Sequence, residues 1–121
     1  MNPVMRKYFQ QKLLDWKSEI LEDTGTTLEK LKAETVQEAD LADRAASEAE
    51  RTVELRTRER ARKLISKIDA AIQRIENNTY GYCEETGEPI SIKRLEARPI
   101  ATLSIEAQEL HERHEKTHRD D

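Results

Sequence analysis

Cys83-Glu84-Glu85-Thr86, followed by Gly87, and Ser104-Ile105-Glu106-Ala107 repeat the spacing of two Cys-x-x-Cys knuckles with 17 residues between them. Four thiolates at that spacing would make a structural zinc site of the treble-clef or ribbon kind. Here Thr86, Ser104 and Ala107 stand where three of the four sulfurs are expected. Two neutral hydroxyls and a methyl do not complete a zinc set. The favoured reading is therefore a degenerate zinc-finger-like module that keeps its shape by packing Tyr82, Ile90, Ile92, Leu95, Ile100, Leu103 and Ile105. Cys83 as a nucleophile or redox sensor is the weaker reading, since it is the chain's one cysteine and no histidine lies near it in sequence.

Three other clusters carry chemistry. His111, His114 and His118 recur at spacings of three and four around Glu115. They would share one helix face, either as metal ligands or, more simply, as solvated residues near the negative end of a helix dipole. Arg51, Arg56, Arg58, Arg60, Arg62 and Lys63 are interleaved with Glu50, Glu54 and Glu59. Much of that pattern is ordinary pairing along a helix, with some arginines left to bind a protein partner. Asp40 and Asp43 flank Leu41-Ala42 and precede Arg44-Ala45. They read either as caps of a turn or as two carboxylates presented at the end of a long element.

The elements that position these groups are helices. Leu14, Leu21 and Leu28 repeat every seven residues, with Thr35 next, and Phe9, Leu13, Trp16, Ile20, Thr27 and Leu31 fill the neighbouring positions. The spacing predicts a first helix from about residue 5 to 39, with a possible loosening at Gly25. A second helix is predicted over about 43–76, with a seam of Ala46, Ala49, Val53, Leu64, Ile68, Ala71, Ile72 and Ile75. The short connection, about 39–45, forces the two helices antiparallel. Arms of roughly 33 residues at ~1.5 Å each make a hairpin about 50 Å long. Asn77 to Gly81 stops the second helix. Short turns and possible strands follow to about Thr102, then a last helix capped by Ser104 and running to about His118. The fold class is mainly α: a long antiparallel two-helix coiled-coil hairpin (1–78) plus a small zinc-finger-like module with a C-terminal helix (79–121).

Charged residues make up 38% of the 121 and aromatics 4%, which would suit a disordered chain were the apolar residues not so regularly spaced. A net charge of −4 argues against a DNA-binding surface. No apolar run approaches the roughly 20 residues that span a bilayer, and the N-terminus lacks a signal-peptide core. A single cysteine fits a reducing compartment, so the expected location is the cytoplasm.

Taken together, Asp40-x-x-Asp43-Arg44-Ala45, Leu55-Arg56-x-Arg58-x-Arg60-x-Arg62-Lys63-Leu64-Ile65, Gly81-Tyr82-Cys83 and Arg94-Leu95-Glu96-Ala97-Arg98-Pro99 resemble the DksA/TraR (DnaK-suppressor) family of transcription factors over almost the whole chain. The resemblance implies a non-enzymatic regulator that binds RNA polymerase without sequence-specific DNA contacts, inserting its coiled coil through the secondary channel. It implies control of ribosomal RNA and biosynthetic promoters in the stringent response, with guanosine tetraphosphate (ppGpp) as effector. By that resemblance Asp40, Asp43 and Ala45 form the tip near the polymerase active site, and Arg60 supports binding along the coiled coil. Leu64, Lys67 and Arg98 form the factor's side of the shared effector site. Gln108 stands where the family has a further lysine of that site, a departure that bears on effector coupling. No tightly bound cofactor, no zinc, no membrane and a monomeric state are expected. The alternative is a structural coiled-coil adaptor that never meets polymerase.

Overall fold

The computed structural model describes residues 1–38 and 44–119. Asp40 and Asp43 lie outside the described residues, and so do the side chains of Thr35, Ala45, Ala46 and His118. Four helices follow in order: α1 (Pro3–Glu38), α2 (Arg44–Glu76), α3 (Ile92–Ala97) and α4 (Ile105–Arg119). Among the described residues there is no strand, only an isolated antiparallel bridge between Tyr82 and Pro89. Among the described residues no helix is long and apolar enough to cross a membrane. The chain divides into two compact units, Leu14–Asp69 and Met1–Leu13 with Ala70–Asp121.

In the Leu14–Asp69 unit, α1 and α2 run antiparallel. Lys17 Nζ meets Asp69 Oδ1 at 2.8 Å, and Ile20, Thr24 and Thr27 line a groove with Thr57, Ala61 and Leu64. The inner face of α2 is Glu50, Glu54, Thr57, Ala61, Leu64 and Ile68, at strictly alternating steps of four and three. That is a heptad seam, with polar or small residues at the four positions nearest the turn. Ala49 and Val53, expected in the seam, are exposed, because Glu50 and Glu54 take the inward positions beside them.

The inner face of α1 also differs from expectation. Trp16, Ile20, Thr24, Leu28 and Leu31 face inward, whereas Leu14 and Leu21 are 42% and 56% exposed. Leu14 follows Leu13, and Leu21 follows Ile20, by one residue and so by about 100° around the helix, off the packed line. Three successive steps of four carry the stripe round until Leu28 joins it. Gly25 does not interrupt α1, and a Cβ added there would meet nothing within 4 Å. Gly25→Ala is therefore expected to stabilise the hairpin by roughly 0.5–1 kcal/mol. Thermal melts followed by helical circular dichroism check this. No gain would mean that α1 is not continuous through residue 25 in solution.

The other unit has a compact core. α2 stops in a Schellman arrangement: Asn78, in the left-handed region at φ 61, donates to Ile75 O, and Thr79 donates to Arg74 O. Gly81 (φ 90) and Gly87 (φ 74) take the next two left-handed positions. Phe9, Leu13, Ala71, Ile75, Tyr80, Cys83, Ile90, Leu95, Ala101 and Ala107 are buried together. Tyr82, Ile92 and Ile105, expected to pack, are 42–48% exposed. Phe9 and Leu13 of α1 fill the space instead, with the Phe9 ring 5.7 Å from Tyr80. Tyr80 places its hydroxyl 2.8 Å from the Pro99 carbonyl. Burial raises its pKa, so it stays a donor.

Candidate functional site

Chemistry-bearing residues fall in three places: the hairpin's outer face, the turn after α3, and the degenerate knuckles. On the hairpin, Arg60 is exposed, with Lys67 seven residues on and Leu64 half-buried between them. Arg60 borders two shallow grooves, one shared with Leu55, Arg56, Glu59 and Lys63 and the other with Asp23, Thr57 and Leu64. The neighbouring arginines are partly used up: Arg58 pairs with Glu54 at 3.1 Å and Arg62 with Glu59 at 2.6 Å. Arg62 pulls the Glu59 carboxyl below its usual range. The surface left by these pairs is basic along Arg56, Arg60, Lys63 and Lys67, which recur at one-turn spacing.

Arg98 closes α3. Ser91 caps the other end, its Oγ accepting from the Arg94 N–H at 3.2 Å. Arg98 N–H donates to Arg94 O at 2.7 Å, its own carbonyl accepts from Ala101 N–H at 3.0 Å, and buried Pro99 follows. The proline keeps Arg98 out of the helical region, at φ −141 and ψ 85. The backbone is thus held on both sides while the guanidinium stands in solvent. Arg94 plays a different part, its Nε donating to Leu103 O at 2.8 Å and bracing the segment before α4. Gln108 is half-buried on α4 and donates to Glu112 at 3.2 Å. Lys12 was not among the residues singled out from the sequence, yet its Nζ reaches the Glu96 carboxylate at 2.6 Å and the Glu96 carbonyl at 2.9 Å. A lysine next to buried Leu13 gave no signal of that reach across 84 positions.

The knuckles converge as their spacing predicts. Cys83 is 2% exposed, donates its N–H to Glu88 O, and accepts from Gly87 N–H. Thr86 and Ser104 lie against its sulfur. Ser104 Oγ caps α4 by accepting from Ala107 N–H at 3.2 Å, and Ala107 is buried. One thiol, two hydroxyls already used as hydrogen-bonding groups, and a methyl do not fit zinc, which takes thiolate, imidazole or carboxylate ligands. The described histidines supply no substitute. His111 pairs with Glu85, and no group of three metal-ligating side chains occurs among the described residues.

The Thr86 hydroxyl, followed by the Ser104 amide, lowers the Cys83 thiol from 9.0 to about 6, against the opposing effect of burial. The folded thiol therefore loses its proton before the unfolded one. The resulting stabilisation is complete above the unfolded value and is lost as pH falls through the folded value. The melting temperature of the native chain is expected to fall relative to Cys83→Ser between pH 9 and pH 6. Parallel curves for the two proteins across that window would show that the thiol is not ionised in the fold.

Residues 5–75 match the family described as "DnaK suppressor protein DksA, N-terminal domain", and residues 78–113 match "Prokaryotic dksA/traR C4-type zinc finger". A relative from Caulobacter vibrioides, named RNA polymerase-binding transcription factor DksA, is 63% identical over 121 residues, all of this chain and 85% of the relative. The protein of that name from Escherichia coli is 40% identical over 116 residues, 96% of this chain and 77% of the relative. Among solved structures, transcription factor DksA2 from Pseudomonas aeruginosa superposes with a TM-score of 0.73 at 35% identity, covering 95% of this chain and 88% of that one. A Chlamydia trachomatis regulator shares the fold at a TM-score of 0.53 and 23% identity, over 93% of each chain. With matches along both long helices and the knuckle region, the chain belongs to the DksA/TraR family.

Proposed function

We propose that this chain is a cytoplasmic transcription regulator that binds RNA polymerase directly and works as a ligand of that enzyme rather than as a catalyst. The observation that carries this reading is the 63% identity, over the whole chain, to a relative named for polymerase binding. Its functional parts divide as hairpin (1–78) and module (79–121). The hairpin enters the secondary channel, for which two packed helices about 20 Å across are slender enough. Asp40, Asp43 and Ala45 then approach the active site, and the basic stripe through Arg60 holds the hairpin against acidic polymerase surface. Leu64, Lys67 and Arg98 contribute to a guanosine tetraphosphate site completed by polymerase. Polyphosphate recognition suits a lysine and an arginine whose side chains stand in solvent. The factor acts as a monomer and shifts the stability of promoter complexes, a linkage effect. The module does this work without zinc, since its donor set does not fit the metal.

The test is transcription from a ribosomal RNA promoter with purified polymerase and metal-free factor, with and without guanosine tetraphosphate. Repression that deepens with effector is the expected result. Failure of the chain to bind polymerase at all would leave the adaptor reading in its place.

A further inference from the structure

The last turn of α3 is tied to α1 by a clamp that the proposed function does not yet use. Lys12 Nζ donates to the Glu96 carboxylate at 2.6 Å and to the Glu96 backbone carbonyl at 2.9 Å. That carbonyl belongs to the last turn of a six-residue helix, where no further helical amide can satisfy it. A cation there also meets the negative end of the helix. Tyr8, one turn earlier on α1, adds its hydroxyl to the same carboxylate, and its ring lies 5.9 Å from Lys12 Nζ. Lys12 and then Tyr8 hold the Glu96 carboxyl below its usual range, as expected of a carboxylate that accepts from both. Two residues further on stands Arg98, whose backbone is fixed by Arg94, Ala101 and Pro99 and whose side chain is exposed.

We propose that Lys12, assisted by Tyr8, is a positioning residue for Arg98: by fixing the end of α3 against α1 it sets where the guanidinium stands and hence how tightly the polyphosphate effector is held. This inference rests on the effector role of Arg98 proposed above. Lys12 touches no effector itself. An unclamped α3 frays at its last turn, and the guanidinium then samples positions that do not face the phosphates, so part of the binding energy is lost in ordering it.

The experiment uses the full chain bound to RNA polymerase and measures two affinities: factor for polymerase without effector, and guanosine tetraphosphate for the complex. Lys12→Met is expected to weaken effector binding about fivefold while leaving effector-free polymerase binding and the melting temperature nearly unchanged. Lys12→Arg, which can still donate to both Glu96 oxygens, is expected to restore effector affinity. Tyr8→Phe serves as a second variant, since it removes only the hydroxyl, and is expected to weaken effector binding by about twofold. Unchanged effector affinity in Lys12→Met and Tyr8→Phe, with a large loss in Arg98→Ala, would overturn the positioning role and leave the effector site intact. Unchanged affinity in Arg98→Ala would overturn the effector site and the positioning role together. An equal loss of effector-free polymerase binding in Lys12→Met would show a general structural role instead.

Discussion

Leu95→Ala is expected to destabilise the module by about 2–5 kcal/mol, the range for truncating a fully buried leucine. Leu95 has no exposed surface and is the second residue of the Arg94–Pro99 run, packed in the same core as Phe9, Tyr80, Cys83 and Ile90. Phe9 and Leu13 of that core are fixed on the long helix α1, which gives the site few ways to collapse onto the cavity. For a unit of this size each kcal/mol moves the midpoint by roughly 4–8 °C, so the melting temperature should fall by about 10 °C or more. The same melts answer the metal question. If packing holds the module, a strong chelator leaves the native midpoint where it was. A chelator-sensitive midpoint, with Leu95→Ala costing well under about 1 kcal/mol, would mean that a metal rather than this core organises residues 78–113.

Asp43→Asn is expected to leave polymerase binding within about twofold of the native chain and to abolish most promoter repression. The substitution keeps the size and shape of the side chain and removes its charge. A hydrogen bond to a charged group contributes about 1.5–3 kcal/mol, so losing that charge at a site of regulation weakens the effect roughly 10- to 100-fold. Binding is retained because the basic stripe through Arg56, Arg60, Lys63 and Lys67 is untouched. Arg60→Ala is its natural control, since it should weaken binding itself. The measurement is polymerase affinity beside single-promoter repression in purified transcription. Repression at the native level by Asp43→Asn would exclude the carboxylate from the mechanism.

The helical ladder was legible from residue spacing alone, because a helix registers every third or fourth residue on one face. Both long helices begin and end within about two residues of the expected positions, and Ser104 caps α4 as its type and place predicted. The stops were legible too: Asn78 and Gly81 occupy left-handed backbone that their side chains tolerate. Spacing did not reveal which of two adjacent leucines turns inward. Leu13 and Leu14 both fit a seven-residue series, and only the packing of the partner helix chooses between them. The short helix α3 gave little periodic signal in six residues. Ser91 caps it, buried Leu95 anchors it, and Lys12 clamps its last turn.

By itself, then, the sequence determined the elements, the missing zinc ligands and the family, since each is carried by local residue types at fixed spacing. The convergence of the knuckles followed from the same pattern. Tertiary structure alone decided which side chains pack the core beside the knuckles and what holds the arginine after α3. The answers are Phe9 against Tyr80, and Lys12 on Glu96, contacts joining positions some 71 and 84 residues apart. No local pattern encodes such pairs, because their energy appears only when the chain has closed the loop between them.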